Sequence, residues 1–292
     1  MDGTPQAGPV RWVRDDDGVL TVTFDHPGRV GNRMNQGFHD GLSAVLDELE
    51  RDGARGVVLT SAKRSFFSGD DVFEDEVPDE ELARAYQLQR PIKANLRRLE
   101  RLGVPVAAAL VGSALGGGFE IALSTHHRVG LDAPHVVYGL PEVTWRILPA
   151  CGGLVRSVRA LGVTRAFTRV LAPGEHLSAA TAAEIGLVDE LAPTREAVLS
   201  AARRWVLGQE RPYRQRWERP GYEIPGGLPE QTDADGLLRD VDPARLTLLS
   251  GPSADAVRTI YRVARESVRL DLDAALDLET EKFEALLAAA RG

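Results

Sequence analysis

The chain predicts an α/β core followed by a helical C-terminal part. Two observations carry this. Short apolar runs alternate with helix-period patterns through the first half, and from about Gly153 the pattern turns mostly helical. The 292-residue length suits one large domain or a domain with an appendage.

Residues 1–9 are polar and read as a disordered tail without the apolar centre of a signal peptide. Val19-Leu20-Thr21-Val22-Thr23-Phe24 alternates apolar and polar side chains, the period of a strand with one buried face. Phe38, Leu42, Val45, Leu46 and Leu49 recur at helical spacing and predict an amphipathic helix over about 36–51. Val57-Val58-Leu59 is a short buried strand, and 80–102 is a long, charge-rich helical pattern. Residues 105–111 form the next strand and run into a glycine cluster. Arg128-Val129-Gly130-Leu131 and Val136-Val137-Tyr138 are two further strands.

Ser178 is a good N-cap for a helix that Gly186 ends. Residues 209–235 are rich in Pro, Gly and charge and read as an excursion or linker. Two helices close the chain, about 253–267 and 270–290; in the second, Leu272, Leu276, Phe283 and Leu287 form one apolar face. The expected organisation is a tail (1–9), a core (10–208), and a linker excursion with C-terminal helices (209–292).

Hydrophobic residues make up 43% and charged residues 27%, the make-up of an ordinary soluble core. A net charge of -8, with no long basic run, argues against a nucleic-acid surface. No apolar stretch reaches the roughly 18 residues that span a bilayer. The single cysteine, Cys151, allows neither an internal disulfide nor a cysteine metal site, which fits a reducing, cytoplasmic setting.

The most chemical segment is Val111-Gly112-Ser113-Ala114-Leu115-Gly116-Gly117-Gly118-Phe119-Glu120. Glycines let a backbone approach a ligand closely, and the unpaired N–H groups at a helix start favour negative charge. Such a junction suits an oxyanion, with the Glu120 carboxylate beside it. Tight helix–strand packing also demands glycine, so both readings stand at this point. The run lacks the Gly-x-Gly-x-x-Gly dinucleotide pattern, the Gly-Lys-Ser/Thr of a phosphate loop, and the Gly-x-Ser-x-Gly of a nucleophile elbow.

Ser65-Phe66-Phe67-Ser68-Gly69-Asp70-Asp71-Val72 reads either as a polar turn or as a backbone N–H presented just after a glycine. Glu142 follows Pro141, which fixes the local backbone. Two carboxylates at one site can divide into an acid and a base when their surroundings separate their pKa values. His126 and His127 are adjacent, so they face apart and do not suit one shared metal; no metal site is expected.

The motifs together resemble the crotonase (enoyl-CoA hydratase/isomerase) superfamily over about residues 19–191. Asn32-Arg33-Met34-Asn35, Phe66-Phe67-Ser68-Gly69-Asp70-Asp71, Ala114-Leu115-Gly116-Gly117-Gly118-Phe119-Glu120 and Gly139-Leu140-Pro141-Glu142-Val143 carry the resemblance in order. Leu148-Pro149-Ala150-Cys151-Gly152-Gly153 and Ala183-Glu184-Ile185-Gly186-Leu187-Val188 extend it. Ala122-Leu123-Ser124-Thr125-His126-His127-Arg128 and Gly221-Tyr222-Glu223-Ile224-Pro225-Gly226-Gly227 are similar to the hydratase half of bacterial multifunctional fatty-acid oxidation α subunits.

The resemblance implies a spiral of ββα turns with a helical trimerisation region, assembled as a homotrimer or a hexamer. It implies an acyl-CoA thioester as ligand, with CoA part of the substrate and no separate cofactor. The thioester oxygen is expected to accept the backbone N–H groups of Asp70 and Gly117, with Ser68, Gly69, Gly116 and Arg146 also contacting substrate. Glu120 is expected to activate water and Glu142 to protonate Cα. The implied reaction is hydration of a 2-enoyl-CoA; double-bond isomerisation and non-catalytic acyl-CoA binding are the alternatives. Three departures stand out: Asp70 replaces a usual small residue, His126 replaces an Asp common in hydratases, and Trp145-Arg146 replace small or aliphatic residues.

Overall fold

The structure is a computed structural model, and it describes residues 8–67, 79–230 and 232–290. In chain order the first elements are β1 (Val10–Arg14), β2 (Val19–Phe24), α1 (Gln36–Asp52), β3 (Gly56–Ser61) and α2 (Asp79–Glu100). Then come β4 (Val106–Leu110), β5 (Ala114–Leu115), α3 (Gly117–Leu123), β6 (His127–Leu131) and β7 (Val137–Gly139). Next are α4 (Gly153–Leu161), α5 (Val163–Ala166), β8 (Leu177–Ser178), α6 (Ala179–Ile185), β9 (Glu190–Ala192) and α7 (Arg195–Leu207). Helices α8 (Ala234–Val241), α9 (Ala254–Ser267) and α10 (Leu272–Ala290) end the described chain. The described residues fall into two compact units, one within 1–138 and 177–216, the other within 139–176 and 217–292.

The first unit is built on a six-stranded sheet in the order β1-β2-β3-β4-β6-β9. Only β1 and β2 pair antiparallel, Val10 opposite Phe24; every other pairing is parallel. Parallel neighbours need a crossover, and α1 supplies one between β2 and β3. Strands β3 and β4 are buried at every position; β4 reads as a continuous apolar run, and β3 as Val57-Val58-Leu59 followed by buried Thr60 and Ser61.

Helix α1 turns Phe38, Leu42, Val45, Leu46 and Leu49 to the interior, as their spacing predicts. Asn35 starts it, its side chain accepting from the Phe38 N–H. Strand β1 was not visible in the sequence pattern; its Val10 is buried while Val13 is 72% exposed. Of the expected tail, residues 1–7 lie outside the described residues. A second, three-stranded sheet runs β5-β7-β8.

The second unit is helical apart from short turns. Its α9 buries Val257, Ile260, Val263 and Ala264, and α10 buries Leu272, Leu276 and Phe283, with Leu287 half-buried. The carboxylate of Glu279 on α10 accepts from the backbone N–H groups of Gly152 (2.7 Å) and Val155 (3.1 Å), capping the first turn of α4 from 127 and 124 residues away. Arg156 is fully buried and donates to the Cys151 carbonyl at 2.9 Å. Gly152 leaves room for that guanidinium: a Cβ there would lie 1.7 Å from Arg156 Nη1. Within 209–235, the described residues are mostly irregular, but Tyr222 is anchored by a hydrogen bond to the Arg159 carbonyl.

Among the described residues, no helix is long and apolar enough to cross a membrane.

Candidate functional site

The glycine junction lies in the first unit, and each glycine has a separate steric reason. Gly112 passes so close to the preceding loop that a Cβ would sit 2.1 Å from the Arg64 carbonyl oxygen. Gly116 has φ +53, a conformation that side chains disfavour. A Cβ on Gly117 would lie 2.4 Å from Met34 Sδ, and one on Gly118 would lie 2.5 Å from the Phe67 carbonyl oxygen. Close packing therefore accounts for Gly112, Gly117 and Gly118, and backbone conformation for Gly116.

That packing also fixes what the junction presents. Helix α3 begins at Gly117, so the N–H groups of Gly117 and Gly118 have no carbonyl of the helix to pair with. Phe119 and Glu120 donate their N–H groups to the Gly116 carbonyl, at 2.8 and 3.0 Å. Glu120 is 2% exposed, one turn from the glycines. A buried carboxylate next to unpaired backbone donors can handle a proton beside a polarised carbonyl.

The strand-like segment Phe66–Phe67 runs alongside. Phe67 bridges to Ala114, the Leu115 N–H donates to the Phe67 carbonyl at 3.3 Å, and Phe66 N donates to the Ser113 carbonyl at 2.9 Å. Phe24, Phe38, Phe66 and Phe67 form an edge-to-face cluster with ring centroids 5.1–5.7 Å apart. Asn32 ties this cluster to its surroundings. Its amide donates to Ser61 Oγ and to the Phe66 carbonyl, both at 2.9 Å, and accepts from the His26 N–H at 3.0 Å.

Arg195, at the start of α7, clamps the same loop. Its guanidinium donates to the carbonyls of Lys63 (2.8 Å), Val111 (2.9 Å) and Ser61 (3.1 Å). Ser68, Gly69 and Asp70 lie outside the described residues.

The far end of α3 is equally anchored. Arg128 is buried and bonds Asp189 (2.6 Å), the Leu187 carbonyl (2.7 Å) and the Thr125 carbonyl (3.0 Å). Gln215 donates to the same Thr125 carbonyl at 2.9 Å. The two histidines face different partners. His126 Nδ1 accepts from the Val106 N–H at 3.0 Å, whereas His127 stacks on Trp205 at 4.6 Å and 4°. Burial holds the His127 imidazole below its ordinary pKa, against the raising effect of Asp189. Among the described residues, no group of three or more His, Cys, Asp or Glu could hold a metal ion.

Glu142 belongs to the second unit. It sits in a single 3-10 turn, Pro141–Trp145, with the proline at the helix start, and is 5% exposed. Thr144 Oγ1 donates to the Pro141 carbonyl at 2.7 Å, and a Cβ on Gly174 would come within 2.6 Å of Val143 Cγ1. Arg146 ends the turn at φ +62, the one non-glycine residue at positive φ among the described residues. Its side chain is exposed.

Gly116, Gly117 and Glu120 are therefore assembled on one junction, and Glu142 with Arg146 on one turn. The residues the sequence reading assigned no role are Met34, Asn32, Arg128 and Arg195, which position these segments. Asn32, Met34 and Arg128 lie in segments that carry the family resemblance; nothing local marks Arg195.

Comparison with known proteins follows the same segments. The family profile described as "Enoyl-CoA hydratase/isomerase" matches residues 14–210. The chain is 33% identical over 282 residues to the fatty acid oxidation complex subunit alpha of Idiomarina loihiensis, covering 93% of this chain and 38% of that protein. It is 37% identical over 206 residues to the protein of the same name from Shewanella halifaxensis, covering 70% of this chain and 29% of that one. The chain thus spans well under half the length of these curated relatives.

Among solved structures, an enoyl-CoA hydratase from Bacillus anthracis superposes with a TM-score of 0.57 at 23% identity, covering 96% of this chain and 91% of that one. One from Mycobacterium avium subsp. paratuberculosis gives 0.60 at 22%, covering 97% and 95%. At these identities the likeness is one of fold, and it matches the mixed α/β architecture with a helical end.

Proposed function

This chain belongs to the enoyl-CoA hydratase/isomerase family, and on that premise we propose that it adds water reversibly to a 2-enoyl-CoA thioester. The observation that carries the proposal is the α3 junction: backbone N–H groups of Gly117 and Gly118 with no carbonyl of the helix to pair with, and a buried carboxylate, Glu120, one turn on. The name shared by the curated relatives, fatty acid oxidation complex subunit alpha, supports fatty acyl thioesters as the substrate class.

In this reading the thioester oxygen accepts the N–H groups of Gly117 and Asp70. Each such donor contributes about 3 kcal/mol to an oxyanion-like transition state. Polarising the carbonyl makes Cβ electrophilic. Water oxygen forms the new bond at Cβ as Glu120 takes its proton, and the C=C electron pair moves into the thioester as an enolate. Protonated Glu142 then delivers its proton to Cα, which restores the carbonyl. The pair ends with Glu120 protonated and Glu142 ionised, and dehydration runs the same steps backward.

Ser68, Gly69, Gly116 and Arg146 are proposed to contact the substrate, with CoA entering as part of it and no separate cofactor. A homotrimer or hexamer built on the C-terminal helices, in the cytoplasm, completes the proposal.

The test is loss of absorbance from the conjugated thioester with crotonyl-CoA and with longer 2-enoyl-CoAs. The expected result is turnover with at least one chain length, giving the 3-hydroxyacyl-CoA. A folded protein that binds these thioesters and hydrates none of them overturns the proposal; conversion of a 3-enoyl-CoA to a 2-enoyl-CoA without hydration makes the chain an isomerase.

A further inference from the structure

A second feature lies entirely within the helical unit and outside every residue assigned to the reaction. A cleft of about 320 Å³ opens between α9 and the segment leading into α8, and Arg258, Arg262, Arg265 and Arg269 all line it. Their spacing of four, three and four residues puts them on one face of α9, the last one just beyond its end. Neighbouring like charges at these spacings oppose helix formation. Among the described residues none of the four makes an ion pair within 4 Å, so the carboxylates of Asp233, Asp235 and Glu266 in the same lining offset their charge only from a distance.

The cleft is also organised. Arg265 donates to the Thr232 carbonyl at 3.0 Å, and its guanidinium carbon lies 5.8 Å from the centre of the Tyr261 ring. Its Nε is buried with no hydrogen-bond partner. Arg258 donates to the Leu249 carbonyl at 3.2 Å. Arg262 and Arg269 make no side-chain hydrogen bond among the described residues and are exposed. Three carboxylates share the lining, and one of them is already engaged: Asp233 caps α8 through the Gly236 N–H. Guanidinium forks aligned along one wall match the paired oxygens of phosphate groups better than a single point charge does.

We propose that this cleft is a binding site for a small diphosphate-bearing anion, gripped by the arginine face of α9. The volume lies at the lower end of small-molecule pockets, which suits a compact anion rather than a macromolecule. The source of the diphosphate is either the free inorganic anion or a nucleoside diphosphate ester.

The experiment titrates the full chain calorimetrically with inorganic pyrophosphate and, separately, with ADP. The comparison protein is Arg258→Gln/Arg262→Gln, whose altered side chains are exposed; Arg269→Gln is a second variant. Expected is saturable binding with a dissociation constant below about 1 mM, weakened about tenfold or more in the double variant. Turnover of enoyl-CoA by the double variant is expected to equal that of the parent protein, which separates this site from the thioester site. Pyrophosphate binding alone assigns the free anion; competing binding of both assigns the ester. No saturable binding of either anion overturns the proposal, and so does binding that both variants leave unchanged.

Discussion

The two glutamates proposed for catalysis are held by opposite means. Glu120 is fixed by what its neighbours lack: Gly117 and Gly118 have no Cβ, so Met34 and Phe67 can press directly on the backbone. Glu142 is fixed by what its neighbours impose: a proline sets the start of a five-residue turn, and Arg146 at φ +62 closes it. One arrangement depends on tertiary contact, the other on local torsions. Damage to the first is expected to propagate into packing, and damage to the second to stay local.

The largest effect tests whether the two carboxylates are chemically equal despite this difference. Glu120→Gln and Glu142→Gln are each expected to lower the hydration rate by about 10²–10⁴-fold while leaving CoA affinity intact. Thioester absorbance and calorimetric CoA titration read the two quantities, and a retained rate in either variant removes that residue from the mechanism.

Next in size is Gly118→Ala. The added methyl meets a backbone oxygen that cannot swing away, so destabilisation of about 3 kcal/mol is expected in urea unfolding. Gly117→Ala meets only the Met34 thioether, which can re-orient, and about 1–2 kcal/mol is expected. Combined with Met34→Ala, its effect should fall below the sum of the two single changes; strict additivity would deny the contact its role.

A smaller effect of opposite sign probes the local turn. Arg146→Gly relieves a left-handed side-chain residue and is expected to stabilise by about 1 kcal/mol. A drop in affinity for the thioester in the same variant would support the substrate contact proposed for Arg146.

The smallest effect is a pH dependence confined to the α3 side. The folded state holds the His127 imidazole below its ordinary value of 6.5, so the unfolded chain binds the proton more readily. The stability this gives is present above pH 6.5 and is lost as pH falls below it through the folded-state pKa. His127→Phe should flatten that part of the stability profile; an unchanged acid slope would place its cause elsewhere.

Much of the first unit was legible because its signals are local. The period of Phe38 to Leu49, the Ser178 cap and the Gly186 stop need only a few neighbouring residues, and α1 and α6 follow them. The glycine run was legible as a junction but not as a fit, since its partners Met34 and Phe67 lie more than 50 residues away in sequence. Strand β1 escaped because five residues with a single fully buried position carry too little periodicity. Arg156 and Arg195 escaped for another reason. Arginine reads as a surface residue until the carbonyls that satisfy its guanidinium are known, and Arg195 reaches them 84 to 134 residues away. Asp70 lies outside the described residues; Asp70→Gly is expected to retain hydration in the thioester absorbance assay, because only the backbone N–H is used.

The cap that Glu279 places on α4 carries a consequence for the order of synthesis. A ribosome delivers residues 152–161 long before residue 279, and until then the first turn of α4 lacks the carboxylate that accepts its N–H groups. The second unit therefore closes only once α10 has been made, and a nascent chain arrested before α10 should expose α4 to proteases that a chain carrying α10 resists.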